Sequence, residues 1–199
     1  MAPTKRIVHC VALFILLYAL LSAPWPGVQE GYSAAYRAVG NAVFGSFGSE
    51  GVVRFEPRTA SYRWADTSVT IARRGSQQGL EIPEDPRLQG YLPTVATLAL
   101  IAATPIPWSR RWRTLVWGFL WINGFVLLRL LIALLHLYDG TEPWCLYALS
   151  PLFSEVLYGT YELLVRSGTT SFLVPALIWL LVTFRRRDWE RMLAAYRPE

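Results

Sequence analysis

"GFVLLRLLIALLHLYDG", residues 124–140, is an apolar run with Arg129 near its middle. Either the run crosses a membrane and the arginine sits there for a reason, or it is not a membrane segment. A span needs roughly 20 apolar residues to cross about 30 Å of hydrocarbon. Four stretches approach that length: Ile7–Trp25, Tyr91–Ile106, Thr114–Leu137 and Gly168–Phe184. The chain has 199 residues, 53% of them hydrophobic, and a mean hydropathy of +0.30. Its apolar runs are too long and too lightly charged for ordinary core helices. The sequence therefore predicts an α-helical integral membrane protein with four transmembrane helices and a small α+β extracytoplasmic domain.

The expected organisation follows the runs. Residues 1–25 form an N-terminal anchor helix, and 26–90 an extracytoplasmic helix with short strands. Residues 91–137 supply two transmembrane helices joined by a basic cytoplasmic turn. Residues 138–167 hold an outer amphipathic helix, and 168–199 the last transmembrane helix with a basic cytoplasmic tail. The first run, preceded by "MAPTKR", also reads as a secretory signal with basic and apolar regions. It is longer than a typical signal core and "LLSAPWP" lacks a clean Ala-x-Ala, which favours a retained anchor.

Lysine and arginine near span ends orient such a protein. Lys5 and Arg6, then Arg110, Arg111 and Arg113, then Arg185, Arg186, Arg187, Arg191 and Arg197 fall on one side. The 26–90 segment balances its basic and acidic residues, and the second loop on that side is net negative, with Asp139, Glu142, Glu155 and Glu162 against Arg166. Both termini are expected in the cytoplasm of a multi-pass cell-membrane protein. The net charge of +5 is then a topology signal, and nucleic acid is not an expected partner.

On the outer side, Tyr32, Tyr36, Val39, Val43 and Phe47 recur at helical spacing, with Arg37 and Asn41 on another face. The glycines of "FGSFGSEG" end that helix. "VVRFEP", "ASYRWA" and "TSVTIARR" then read as two or three strands, and "RRGSQQGLEIPEDPRLQG" as a returning loop. In "SPLFSEVLYGTYELLVR", Leu152, Phe153, Val156, Leu157, Tyr161, Leu164 and Val165 make an apolar helical face, and Glu162 precedes Arg166 in the favourable i,i+4 order. The tail "RRRDWERMLAAYRPE" reads as helical over 188–196, its basic cluster suited to anionic headgroups.

Arg129 lies eight residues from the outer end of its span, about 12 Å deep at 1.5 Å per residue. An arginine near a span centre costs of order 2.5–3.5 kcal/mol on insertion scales, so something should compensate for it. Asp139, Glu142, Glu155, Glu162 and backbone carbonyls are the options within the chain. Asn123, Arg129 and His136 form a polar line on an otherwise leucine-rich helix, where the arginine serves as a structural ion pair, a contact to a partner subunit, or a recognition group.

"ALIAATPIPWSRRWRTLVWGFLWINGFVLLRLLIALLHLYDG", residues 99–140, resembles the latter half of exosortases, membrane enzymes that process carboxy-terminal sorting signals. In that family a basic turn leads into a span bearing an Asn and then an Arg. Arg129 sits where the family's arginine would be, and Asn123 is loosely placed. No Cys stands in the second span and no His follows in "SPLFSEVLYGTY", so the catalytic pair is not matched. The layout is similar instead to the small membrane proteins that accompany exosortases: an anchor, an outer domain, then three spans with an Ala-Thr-Pro turn at the second.

Cys10 and Cys145 are expected on opposite sides of the bilayer, unable to pair, and no Cys–His cluster has metal-ligand spacing. No metal site and no cofactor are implied. The reading that absorbs most of the sequence is a non-enzymatic membrane accessory or assembly protein, with membrane lipids and an integral membrane protein as partners. The alternatives are a thiol enzyme using Cys145, Arg129 and His136, and an oligomeric transporter or channel subunit. Against the last stands the absence of any inverted repeat.

Overall fold

A computed structural model describes residues 3–25, 27–58, 66–76 and 78–184. The predicted strand "ASYRWA" and the predicted tail helix lie outside those residues. In chain order the elements are α1 (Pro3–Ser22), α2 (Val28–Phe44), β1 (Ser46–Phe47), β2 (Gly51–Pro57), β3 (Thr67–Arg73), β4 (Gly79–Glu84), α3 (Leu92–Ala103), α4 (Trp108–Tyr138), α5 (Pro151–Tyr161) and α6 (Thr170–Thr183). A π-helical turn, Arg87–Tyr91, leads into α3, and a second, Glu162–Arg166, extends α5.

The expectation of four transmembrane helices is overturned. Among the described residues only α4, with 31 residues, is long and apolar enough to cross a membrane, or two spans if α5 and α6 count together as one broken span. At 1.5 Å per residue, the 12 residues of α3 reach about 18 Å and the 14 of α6 about 21 Å. Both fall short of the ~30 Å hydrocarbon core. The apolar runs overcount because their ends are used for other structure. Tyr91 belongs to the π-helical turn, α3 stops before Pro105, and the apolar part of α1, Ile7–Ser22, is also below span length. Only 33% of the apolar window in α4 is buried within the chain, less than a helix at the centre of a water-soluble core shows. Trp117, Trp121 and Leu128 point outward. The chain is membrane-associated through this helix.

The chain divides into two units. One takes its residues from 1–23, 93–124 and 171–199, the other from 24–92 and 125–170. In the first, α3 packs on α4, and Ile101 and Ile122 are fully buried. Gly118 has no side chain to block Ile101. The Trp179 indole donates to Thr104 Oγ1 at 2.8 Å, and Arg110 donates to the Thr183 carbonyl at the end of α6.

The second unit is a four-stranded antiparallel sheet in sequence order, covered by α2. β2 and β3 pair over their whole length, Gly51 opposite Arg73 through Pro57 opposite Thr67. Alternation sends Val53, Phe55, Val69 and Ile71 inward. The expected loop at 73–90 contains a strand: β4 pairs with β3 from Thr67–Glu84 to Ala72–Gly79. The expected packing helix is α2, but its buried stripe is Ser33, Tyr36, Gly40 and Phe44, while Val39 and Val43 are exposed. Gly40 sets that rotation, because a Cβ there would stand 2.9 Å from the Phe55 ring. Asn41 then lies over the free edge of β2. It donates to the Phe55 carbonyl and accepts the Phe55 N–H, both at 2.9 Å, and so stands in for a missing strand.

The last turns of α4 complete this core. Tyr138 is fully buried, its ring stacked on Phe47 and its hydroxyl donating to the carbonyls of Val52 (3.0 Å) and Ala72 (3.3 Å).

Candidate functional site: a cavity around Arg129

Between α2, the inner sheet face, the end of α4 and the π-helical extension of α5 lies a cavity of about 360 Å³. Its walls are mainly apolar, built by Phe55 and Val69 from the sheet and by Val126, Leu130 and Leu134 from α4. Its polar groups are few: Tyr36, Glu84, Gln89 and Arg129, with Arg166 also on the lining.

Arg129 is buried, with 5% of its surface exposed. Its Nη2 donates to the Val165 carbonyl at 2.9 Å, and its guanidinium lies 6.0 Å from the Phe125 ring centre. Val165 is in the last turn of the α5 extension, where carbonyls lack intrahelical donors and the helix dipole is negative. One compensation for the buried charge is therefore a helix C-terminus, the backbone-carbonyl option among those the sequence left open.

The carboxylate that feels Arg129 is Glu84, at the end of β4. Burial pushes the Glu84 carboxyl up to about 7, against the opposing pull of Arg129 and the Gln89 hydrogen bond, with neighbouring Asp85 adding to the rise. Burial also raises the Tyr36 phenol well above its ordinary value, assisted by Glu84. The Tyr36 hydroxyl is buried and has no hydrogen-bond partner among the described residues. Its ring is held edge-on against Phe55 at 6.0 Å.

No protein-family model, characterised protein or solved structure matches the chain.

The four acids expected near Arg129 have other places. Asp139 accepts the Leu149 N–H at 2.8 Å and the Ser154 hydroxyl at 2.7 Å, which ties the loop to the first turn of α5. Those two hydrogen bonds hold its carboxyl below the ordinary range. Glu162 pairs with Arg166 at 2.7 Å in the expected i,i+4 arrangement. Glu142 and Glu155 are exposed. None of the four lines the cavity.

The polar line is also divided. Asn123 donates to the Phe119 carbonyl one turn earlier in its own helix, at 2.8 Å. His136 stacks on Tyr161 with ring centres 4.4 Å apart, and lies 5.8 Å from the Tyr158 ring. Cys145 is half-buried beside Gly140, its thiol 3.9 Å from the Leu137 carbonyl. Neither His136 nor Cys145 lines the cavity with Arg129. Cys10 and Cys145 are both free thiols. Among the described residues no group of His, Cys, Asp and Glu is placed to hold a metal ion.

Sequence reasoning missed Glu84, Gln89 and the hydroxyl of Tyr36. A signal for Glu84 was present. Leu80, Ile82 and Glu84 alternate on one face of β4, so the strand that aims two aliphatic residues at the core aims the carboxylate there as well.

Proposed function

We propose that this chain is a non-enzymatic membrane accessory protein that binds an integral membrane partner. The observation that carries the reading is the outward apolar surface of α4, where Trp117 is 58% and Trp121 61% exposed. Contiguous apolar surface of that kind is covered by lipid or by another protein. On this reading Arg110, Arg111 and Arg113 at the start of α4 face the cytoplasm. The likeness of residues 99–140 to exosortases, with Arg129 in the family's position, favours a protein-sorting or envelope system as the setting of that partner. Against a thiol enzyme, Cys145 turns to the Leu137 carbonyl rather than toward Arg129.

Mild-detergent purification of the tagged full chain from native membranes tests this. The wild type and Cys145→Ser are expected to retain one stoichiometric integral membrane partner, and Trp117→Ala/Trp121→Ala to lose it. A folded wild type that purifies alone refutes the reading.

A further inference from the structure

The cavity at Arg129 has a chemistry of its own, independent of the partner reading. Its volume, about 360 Å³, is at the lower end of the roughly 300–1,000 Å³ of small-molecule sites. At about 30 Å³ for each water-sized group, it holds on the order of a dozen non-hydrogen atoms. The lining is two-natured. Arg129, Tyr36, Gln89 and Glu84 supply the polar groups, and Phe55, Val69, Ile82, Val126 and Leu134 an apolar wall.

The polar groups select the sign of the ligand. Arg129 brings a fixed positive charge with N–H donors, and the buried Tyr36 hydroxyl is a donor with no acceptor among the described residues. Glu84 holds its proton up to about 7, so near neutrality it can meet an acidic group as a neutral acid rather than a competing anion. An ammonium head would instead meet the arginine's charge in a poorly solvated site.

We propose that this cavity binds a single-chain amphiphile with an acidic head, of which a medium-chain fatty acid is the simplest example. Arg129 and the Tyr36 hydroxyl hold the head, and the wall from Phe55 to Leu134 holds the tail. The surrounding bilayer is the source of such molecules, and a carboxylate and a phosphate monoester share the required chemistry.

The test uses the full chain in vesicles of zwitterionic phospholipid and a decanoate probe with a diazirine at its terminal carbon. After irradiation, adducts are mapped by peptide mass spectrometry. The expected adducts fall on 126–134 and on β2 or β3, and free decanoate competes them away while decanol does not. Competition by decyl phosphate in place of decanoate also supports the acidic-head site and assigns the head as a phosphate. Competable labelling should weaken as the pH rises from about 6 to about 8, as Glu84 ionises among Arg129, Asp85, Gln89 and Tyr36. Tyr36→Phe should reduce it about tenfold, the usual loss for one hydrogen bond to a charged group. The same variant should melt no earlier than the wild type, since the deleted oxygen has no partner among the described residues. Equal competition by decanol, adducts confined to outward residues such as Phe153 and Phe172, or wild-type labelling of Tyr36→Phe would each overturn the proposal.

Discussion

Replacing Glu84 by Gln should stabilise the protein at alkaline pH and leave it nearly unchanged in acid. Glu84 ends β4 facing the cavity, with Arg129 from α4, Tyr36 from α2, Gln89 from the π-helical turn and Asp85 around it. Its carboxyl moves from an ordinary 4.5 to about 7, chiefly through burial. The sign follows from proton counting. Between those values the folded state binds more protons than the unfolded chain, so the stability that Glu84 contributes is complete below about 4.5. It declines as pH rises through 7 and is gone above. At about 1.4 kcal/mol per pH unit, the difference is roughly 3 kcal/mol. Gln mimics the protonated acid at every pH, so Glu84→Gln should exceed the wild type by roughly that amount near pH 8 and match it near pH 4. Hydrogen exchange of a peptide covering 79–91, compared between the two proteins at each pH and corrected for the altered intrinsic rates at 84 and 85, reads the gap. A gap that does not change with pH, or a variant less stable at pH 8, would show Glu84 to be an ordinary ionised partner of Arg129. The burial argument would then be wrong.

Two further substitutions test the frame of the same unit. Tyr138→Phe keeps the ring stacked on Phe47 but removes the donor shared by the Val52 and Ala72 carbonyls; it should cost about 1–3 kcal/mol, read as a lower denaturant midpoint for loss of sheet signal. Asp139→Ala removes the acceptor of the Leu149 N–H and the Ser154 hydroxyl and should cost about 1–2 kcal/mol, seen as faster exchange over 149–154. Because its carboxyl lies below the ordinary range, the contribution of Asp139 is present above the unfolded-state pKa and fades as pH falls through the folded one.

Local chemistry was legible in the sequence, and long-range assignments were less so. The stripe that predicts α2, the alternation behind β2 and β3, and the Glu162–Arg166 pair each depend on residues within a few positions of one another. The missed strand was hidden by composition: Pro83, Glu84 and Asp85 resemble a turn, although Leu80 and Ile82 already set the period. The surplus spans came from counting apolar residues without asking where helices stop. The runs at 91–106 and 168–184 were already short and lose a further one to three residues at each end to turns, so α3 and α6 fall below the crossing length. The contact to Arg129 had no signature at all, because the acceptor is the backbone carbonyl of Val165. Any residue there would supply a carbonyl; what matters is that a helix ends.

Arg129 therefore has an answer that differs from a plain ion pair. Among its neighbours are the Val165 carbonyl and the Phe125 ring, which help to keep a guanidinium buried. Glu84 also favours the charged arginine, yet its own burial opposes its ionisation near neutral pH. A neutral side chain on β4 would make a more stable protein. A carboxyl whose proton is held to about 7, beside a buried hydroxyl with no acceptor among the described residues, is a poor choice for a structural core. It is a sound one for a site that must meet an acid. Excess local cost combined with unsatisfied hydrogen-bonding capacity marks functional-site candidates, and both line the same cavity.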